Sequence, residues 1–86
     1  MDIYMIYSFG RASLFCGWEA NGKPKVEDQP LYREPWHPPL QLSSKAPVYN
    51  NRLKADEIAM KVNHALDDVV RFRDFYQVVR VRADHL

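Results

Sequence analysis

Cys16, three histidines (His37, His64 and His85) and four arginines near the C-terminus (Arg71, Arg73, Arg80 and Arg82) are the residues of this 86-residue chain whose types could do chemistry. A cysteine beside a histidine and an acid can serve as a nucleophile, because the imidazole takes the thiol proton. Cys16, however, falls mid-strand on an apolar side, where a lone cysteine is usually a small buried hydrophobe. The histidines lack a metal-ligand spacing such as His-x-x-x-His. His64 falls on the polar side of a helical pattern, four residues before Asp68, and is expected in solvent. The chain has no Gly-rich phosphate loop, no serine nucleophile elbow and no cofactor fingerprint. The expectation is a non-enzymatic chain with no catalytic residue, no metal and no cofactor.

Recognition is the alternative to catalysis. Arg71, Arg73, Arg80 and Arg82 are expected near one end of the domain, with Tyr76 beside them, which would suit phosphate contacts and base stacking. Asp67, Asp68, Asp74 and Asp84 lie in the same stretch and are expected to neutralise the patch, so nucleic-acid binding is the alternative reading. The stretch from Leu31 to Leu40 is the preferred candidate. It holds Tyr32, Arg33, Trp36 and His37 among prolines; Tyr, Trp and Arg dominate the energetic centres of protein interfaces. Proline lowers the entropy lost on fixing such a loop. Trp36 and Leu40 could equally plug an open sheet face, and both roles are compatible. The partner-binding set is therefore Tyr32, Arg33, Trp36, His37, Arg71, Arg73, Arg80 and Arg82.

The elements that must position these residues follow from periodicity. Ala55, Ile58, Ala59, Val62, Ala65, Leu66, Val69 and Val70 recur at three- and four-residue steps and predict one amphipathic helix over 52–74. Asn50 or Asn51 is the expected N-cap. Glu57–Lys61 and Asp67–Arg71 have the spacing of helical ion pairs. Arg71 and Arg73 would complement the dipole at the helix end. A period of two then predicts a closing strand over 75–83, with Val79 and Val81 on the face under the helix. Asp74 is the expected corner residue, since Asp tolerates left-handed geometry.

At the other end, Ile3–Phe9 predicts a strand apolar on both faces, hence either central or with its second face against something else. Gly10-Arg11 suits a type II′ turn. A second strand follows over Ala12–Ala20, with Leu14, Cys16 and Trp18 on one face and Gly17 marking a bulge or close approach. Asn21-Gly22 signals a hairpin, and Pro24 restricts the third strand to an edge. All six prolines lie between Pro24 and Pro47, which predicts an irregular wrapping segment over 27–50, with a short strand near Ala46–Asn50. The whole reads as one α+β two-layer domain: an antiparallel sheet of three or four strands, one helix on one face, and the other face open or partly covered by the proline-rich segment.

Hydrophobic residues make up 47% of the chain, enough to oppose disorder. The net charge of +1 gives no overall pull towards nucleic acid or membrane. One cysteine excludes an intrachain disulfide and suits a reducing compartment. The N-terminus lacks the pattern of a signal peptide, and no run approaches the length needed to span a bilayer. The expectation is a soluble cytoplasmic protein. An exposed sheet edge leaves monomer and homodimer both open.

The strand Ile3–Phe9, the helix Ala55–Val70 and the strand Tyr76–Arg82 in so short a chain resemble small phage-encoded inhibitor proteins of the anti-CRISPR type. The resemblance is one of size and plan and transfers no residue. It implies a stoichiometric binder in the host-cell cytoplasm that blocks a surface of a larger protein or nucleoprotein complex, for example a CRISPR effector complex.

Overall fold

A computed structural model describes residues 2–28 and 46–82, with Arg82 described by its backbone only. It shows a four-stranded antiparallel sheet and one helix, a small α+β domain. The strands are β1 (Asp2–Ser8), β2 (Ser13–Trp18), β3 (Pro24–Asp28) and β4 (Gln77–Arg82), in the order β3-β2-β1-β4. The helix, α1 (Arg52–Ala65), sits between β3 and β4 in the chain. Of the two arrangements its apolar faces allow, β1 takes the central one. It pairs with β4 over six consecutive residue pairs, from Asp2 with Arg82 to Tyr7 with Gln77. Its pairing with β2 is confined to Tyr7–Leu14 and Ser8–Ser13. Where β2 has diverged, Tyr49 takes the vacated place beside Tyr4 through two backbone hydrogen bonds of 2.7 and 2.9 Å. The short strand expected near Ala46–Asn50 is this single bridge.

The turns follow local chemistry, with one exception. Gly22 (φ +87°) ends a turn closed by its N–H to the Glu19 carbonyl, and the Asn21 side chain accepts from the Lys23 N–H. This is a three-residue hairpin with a left-handed residue at its end. Gly17 (φ +97°) marks the expected bulge: the register with β3 shifts between Phe15 and Trp18. The bulge also corrects the face expected for Trp18. One extra residue returns its ring to the side of Phe15, edge-on at 5.3 Å. In the β1–β2 connection, the positive φ belongs to Ala12 (49°) and not to Gly10, so the expected type II′ turn is not formed. Gly10 serves a different need, described below.

The sheet is buried on both faces. On the helix side, Ile6, Phe15 and Tyr76 pack with Ala59 and Val62, and Tyr49, Ile58, Leu66 and Val78 join at the margin. On the other side, Met5, Tyr7, Leu14, Cys16, Val79 and Val81 form a second cluster, with Ala46 among them. The face of β4 under the helix is therefore that of Tyr76 and Val78, and the expectation that Val79 and Val81 lie there is overturned. Both faces of β4 carry apolar residues, so alternation alone could not choose between them.

The helix is shorter than its pattern. Asn51 caps it, accepting from the N–H groups of Leu53 and Lys54. It ends at Ala65, not at residue 74. Leu66 is already extended. Two adjacent acids, Asp67 and Asp68, stand where the negative end of the dipole disfavours them. Ion pairs on α1 join Arg52 to Asp56 and Lys54 to Glu57. Asp67 and Arg71 lie beyond the helix, so their four-residue spacing no longer makes them neighbours. A 3-10 turn over Phe72–Asp74 leads into β4. It turns the corner with negative φ throughout, so the left-handed Asp74 is also overturned.

Candidate functional site

The four arginines do not form one patch. β4 runs from Gln77, beside Tyr7, to Arg82, beside Asp2. Its length of about 17 Å, at roughly 3.4 Å per residue, separates Arg71 and Arg73 at one end of the sheet from Arg80 and Arg82 at the other. The expectation of a single arginine end fails because a strand, unlike a turn, carries the chain across the whole domain. Arg73 also lies 3.7 Å from the Asp74 carboxylate and Arg80 3.8 Å from that of Asp2. Tyr32, Arg33, Trp36 and His37 lie outside the described residues.

Cys16 is buried in the second cluster, its thiol directed at the Leu14 carbonyl 3.5 Å away. His64 is exposed on α1. Among the described residues no three His, Cys, Asp or Glu side chains converge as metal ligands, and no helix is long and apolar enough to cross a membrane.

The structure adds a feature that periodicity concealed. Val70 and Phe72, placed by pattern at or near the end of a helix, are 79% and 81% exposed, with exposed Arg71 between them and exposed Arg73 after them. The segment is nevertheless held firmly. The Gly10 N–H donates to the Arg73 carbonyl at 2.8 Å and the Ser8 hydroxyl to the Asp74 carbonyl at 2.9 Å. The Arg11 guanidinium donates to the Asp68 carbonyl at 2.9 Å and pairs with the Asp68 carboxylate at 3.2 Å. Partial burial works to lower the Arg11 pKa, but the bond to Asp68 and nearby negative charge raise it by more. Within the segment, Asp74 N–H bonds Arg71 and Phe75 N–H bonds Phe72, and the Phe72 and Phe75 rings lie 6.2 Å apart. The result is an apolar knob, Val70 and Phe72, with Arg71 and Arg73 beside it, on a backbone tied to β1 and the β1–β2 turn.

A second feature lies across the molecule. Between the start of α1 and the paired strands β1 and β4 lies a cleft of about 320 Å³ whose walls are Asp2, Tyr4, Arg52, Val78 and Arg80. It continues along the helix past Met60 to Asn63 and Gln77. Nearby, burial raises the pKa of Tyr49.

No family model matches this chain, and neither does any curated protein or any solved structure.

Proposed function

We propose that this chain is a non-enzymatic protein-binding module that acts as a small stoichiometric inhibitor, covering a surface of a larger complex in the manner of phage-encoded anti-CRISPR proteins. The observation that carries the reading is the knob of Val70 and Phe72. An aromatic ring left 81% exposed gains almost nothing for folding, because the hydrophobic contribution scales with area removed from water. Its backbone is already fixed by bonds from β1 and the β1–β2 turn, so little further ordering entropy would be lost when a partner covers it. Arg71 and Arg73 beside it supply the residue type that, with aromatics, is enriched at binding hot spots.

The test is affinity capture from bacterial lysate with the parent chain and with Phe72→Ser, each with and without nuclease. A protein recovered in stoichiometric amount despite nuclease, and weakened at least about thirty-fold by Phe72→Ser, is the expected result. The variant should unfold within about 0.5 kcal/mol of the parent, as exposed substitutions do. Equal capture by both chains would remove the knob from the interface. Capture that disappears with nuclease would favour the alternative, nucleic-acid binding through the arginines.

A further inference from the structure

We propose that the outer edge of β4 is a docking site for an extended acidic segment of another protein, which adds as a fifth strand beside Val78 and Arg80 and turns alternate side chains into the cleft against α1. This rests on the reading of the chain as a protein-binding module, but uses a surface remote from Phe72.

The direction of each backbone group on β4 follows from one bridge. Tyr4 exchanges both of its backbone hydrogen bonds with Tyr49, on the side of β1 away from β4. In an antiparallel ladder, directions alternate residue by residue, so the Tyr4–Arg80 pair is a non-hydrogen-bonded one. The N–H and C=O groups of Val79 and Val81 therefore point to β1, and those of Val78, Arg80 and Arg82 point outward. Tyr76 has the same outward direction, and there the edge is already occupied. The Asn63 side-chain amide accepts from the Tyr76 N–H at 2.7 Å and donates to its C=O at 2.9 Å. Asn63 thus reproduces the two bonds of a neighbouring strand for one residue. Among the described residues nothing continues that pairing along Val78, Arg80 and Arg82.

The cleft selects the occupant. A strand on this edge would place one side chain opposite Val78 and the next on that face opposite Arg80, with Cβ atoms about 5 Å apart. Arg52 faces the same cleft from the helix. The carboxylates beside these arginines lie at 3.8 Å (Asp2 to Arg80) and 4.0 Å (Asp56 to Arg52). Those separations exceed hydrogen-bond length, so both guanidinium forks retain donors for an incoming carboxylate. A glutamate or aspartate opposite Arg80 and an apolar residue opposite Val78 complement the edge.

A second copy of β4 complements it poorly. Antiparallel self-pairing about Arg80 sets two arginines directly opposite, which is destabilising. Pairing about Val79 sends Arg82 against Tyr76, and pairing about Val78 sends Arg80 there, where Asn63 has taken the edge groups. The charge that discourages self-association favours an acidic strand.

Amide hydrogen exchange of the whole chain, resolved by residue, tests this. In the chain alone, the amides of Tyr76, Val79 and Val81 should be protected and those of Val78 and Arg80 should exchange rapidly. The probe is a blocked pentapeptide, Glu-Thr-Glu-Thr-Val, titrated to millimolar concentration beside its counterpart with lysine for glutamate. The glutamate peptide should slow exchange at Val78 and Arg80 at least ten-fold and the lysine peptide should not. Arg80→Glu should reverse the preference. Protection of both amides without peptide would overturn the proposal, showing an edge covered by the chain itself or, if protection grows with protein concentration, by a second copy. Equal effects of the two peptides, or none from either, would overturn it too. The same titration on Phe72→Ser keeps the two readings apart: a surviving edge response with failed lysate capture would sink only the knob, and the converse only the edge.

Discussion

Gly10 shows how one residue can hold two distant elements together. Its N–H bonds the Arg73 carbonyl, and a Cβ there would collide with that carbonyl and with the Asp74 side chain. The approach of the β1–β2 turn to the 3-10 turn is thus close enough that only glycine fits, although its φ is not in the left-handed region. Gly10→Ala should cost about 1–3 kcal/mol, the range for a backbone collision without easy relief, measured as a lower urea midpoint at unchanged slope. It should also disturb the knob, since Phe72 precedes Arg73 by one residue. An alanine variant as stable as the parent would show that the two turns can separate freely. The sequence flagged this glycine for a turn, which was the wrong reason, because a close approach between residues 63 positions apart leaves no local trace.

Among the elements, α1 and β4 are joined by the Asn63 amide as much as by apolar packing. Asn63→Ala would leave a partly buried N–H and C=O of Tyr76 without those partners, at about 1–3 kcal/mol for such groups. For a domain of this size that corresponds to a fall in Tm of several degrees per kcal/mol, readable by calorimetry. Asn63→Asp retains the acceptor for the Tyr76 N–H and loses the donor to its C=O, so it should fall between the two. Equal melting of all three chains would mean that water replaces the amide at no cost. The length of α1 belongs to this scale as well. Its apolar stripe predicted continuation to Val70, but Arg11 holds Asp68 and Asn63 holds Tyr76, and these tertiary bonds draw the chain off the helical path after Ala65.

At the scale of the molecule, the sheet is a partition between two cores. Met5 and Ile6 are neighbours on β1, each 1% exposed, and they belong to opposite clusters. Met5→Ala and Ile6→Ala should therefore both destabilise the fold, by about 2–5 kcal/mol each, in one cooperative transition. Were the face of Met5 open, its truncation would be nearly neutral, and denaturant unfolding of the two variants decides the matter. The binding surfaces follow from the same plan. The knob stands beyond the end of the sheet next to Tyr7, whereas Arg80 and the cleft lie towards the end next to Asp2. One partner could touch both only by spanning the length of β4.

What the sequence determined by itself was whatever local pattern governs. The α+β class, a first strand apolar on both faces, the edge position of Pro24, the Asn21-Gly22 hairpin, a bulge or close approach at Gly17 and a cap at Asn50 or Asn51 rest on hydrophobic periodicity and on the conformational preferences of a few neighbouring residues. Tyr76, expected beside the arginines as a stacking surface, is instead buried in the helix-side core. The tertiary structure alone decided which face of β4 meets the helix, where α1 stops, that Phe72 stands in solvent and that the four arginines divide into two pairs. The physical reason is common to these. When both faces of a strand are apolar, or an apolar stripe outruns its helix, the choice is made by hydrogen bonds and packing between residues far apart in sequence, such as Gly10 with Arg73 and Asn63 with Tyr76.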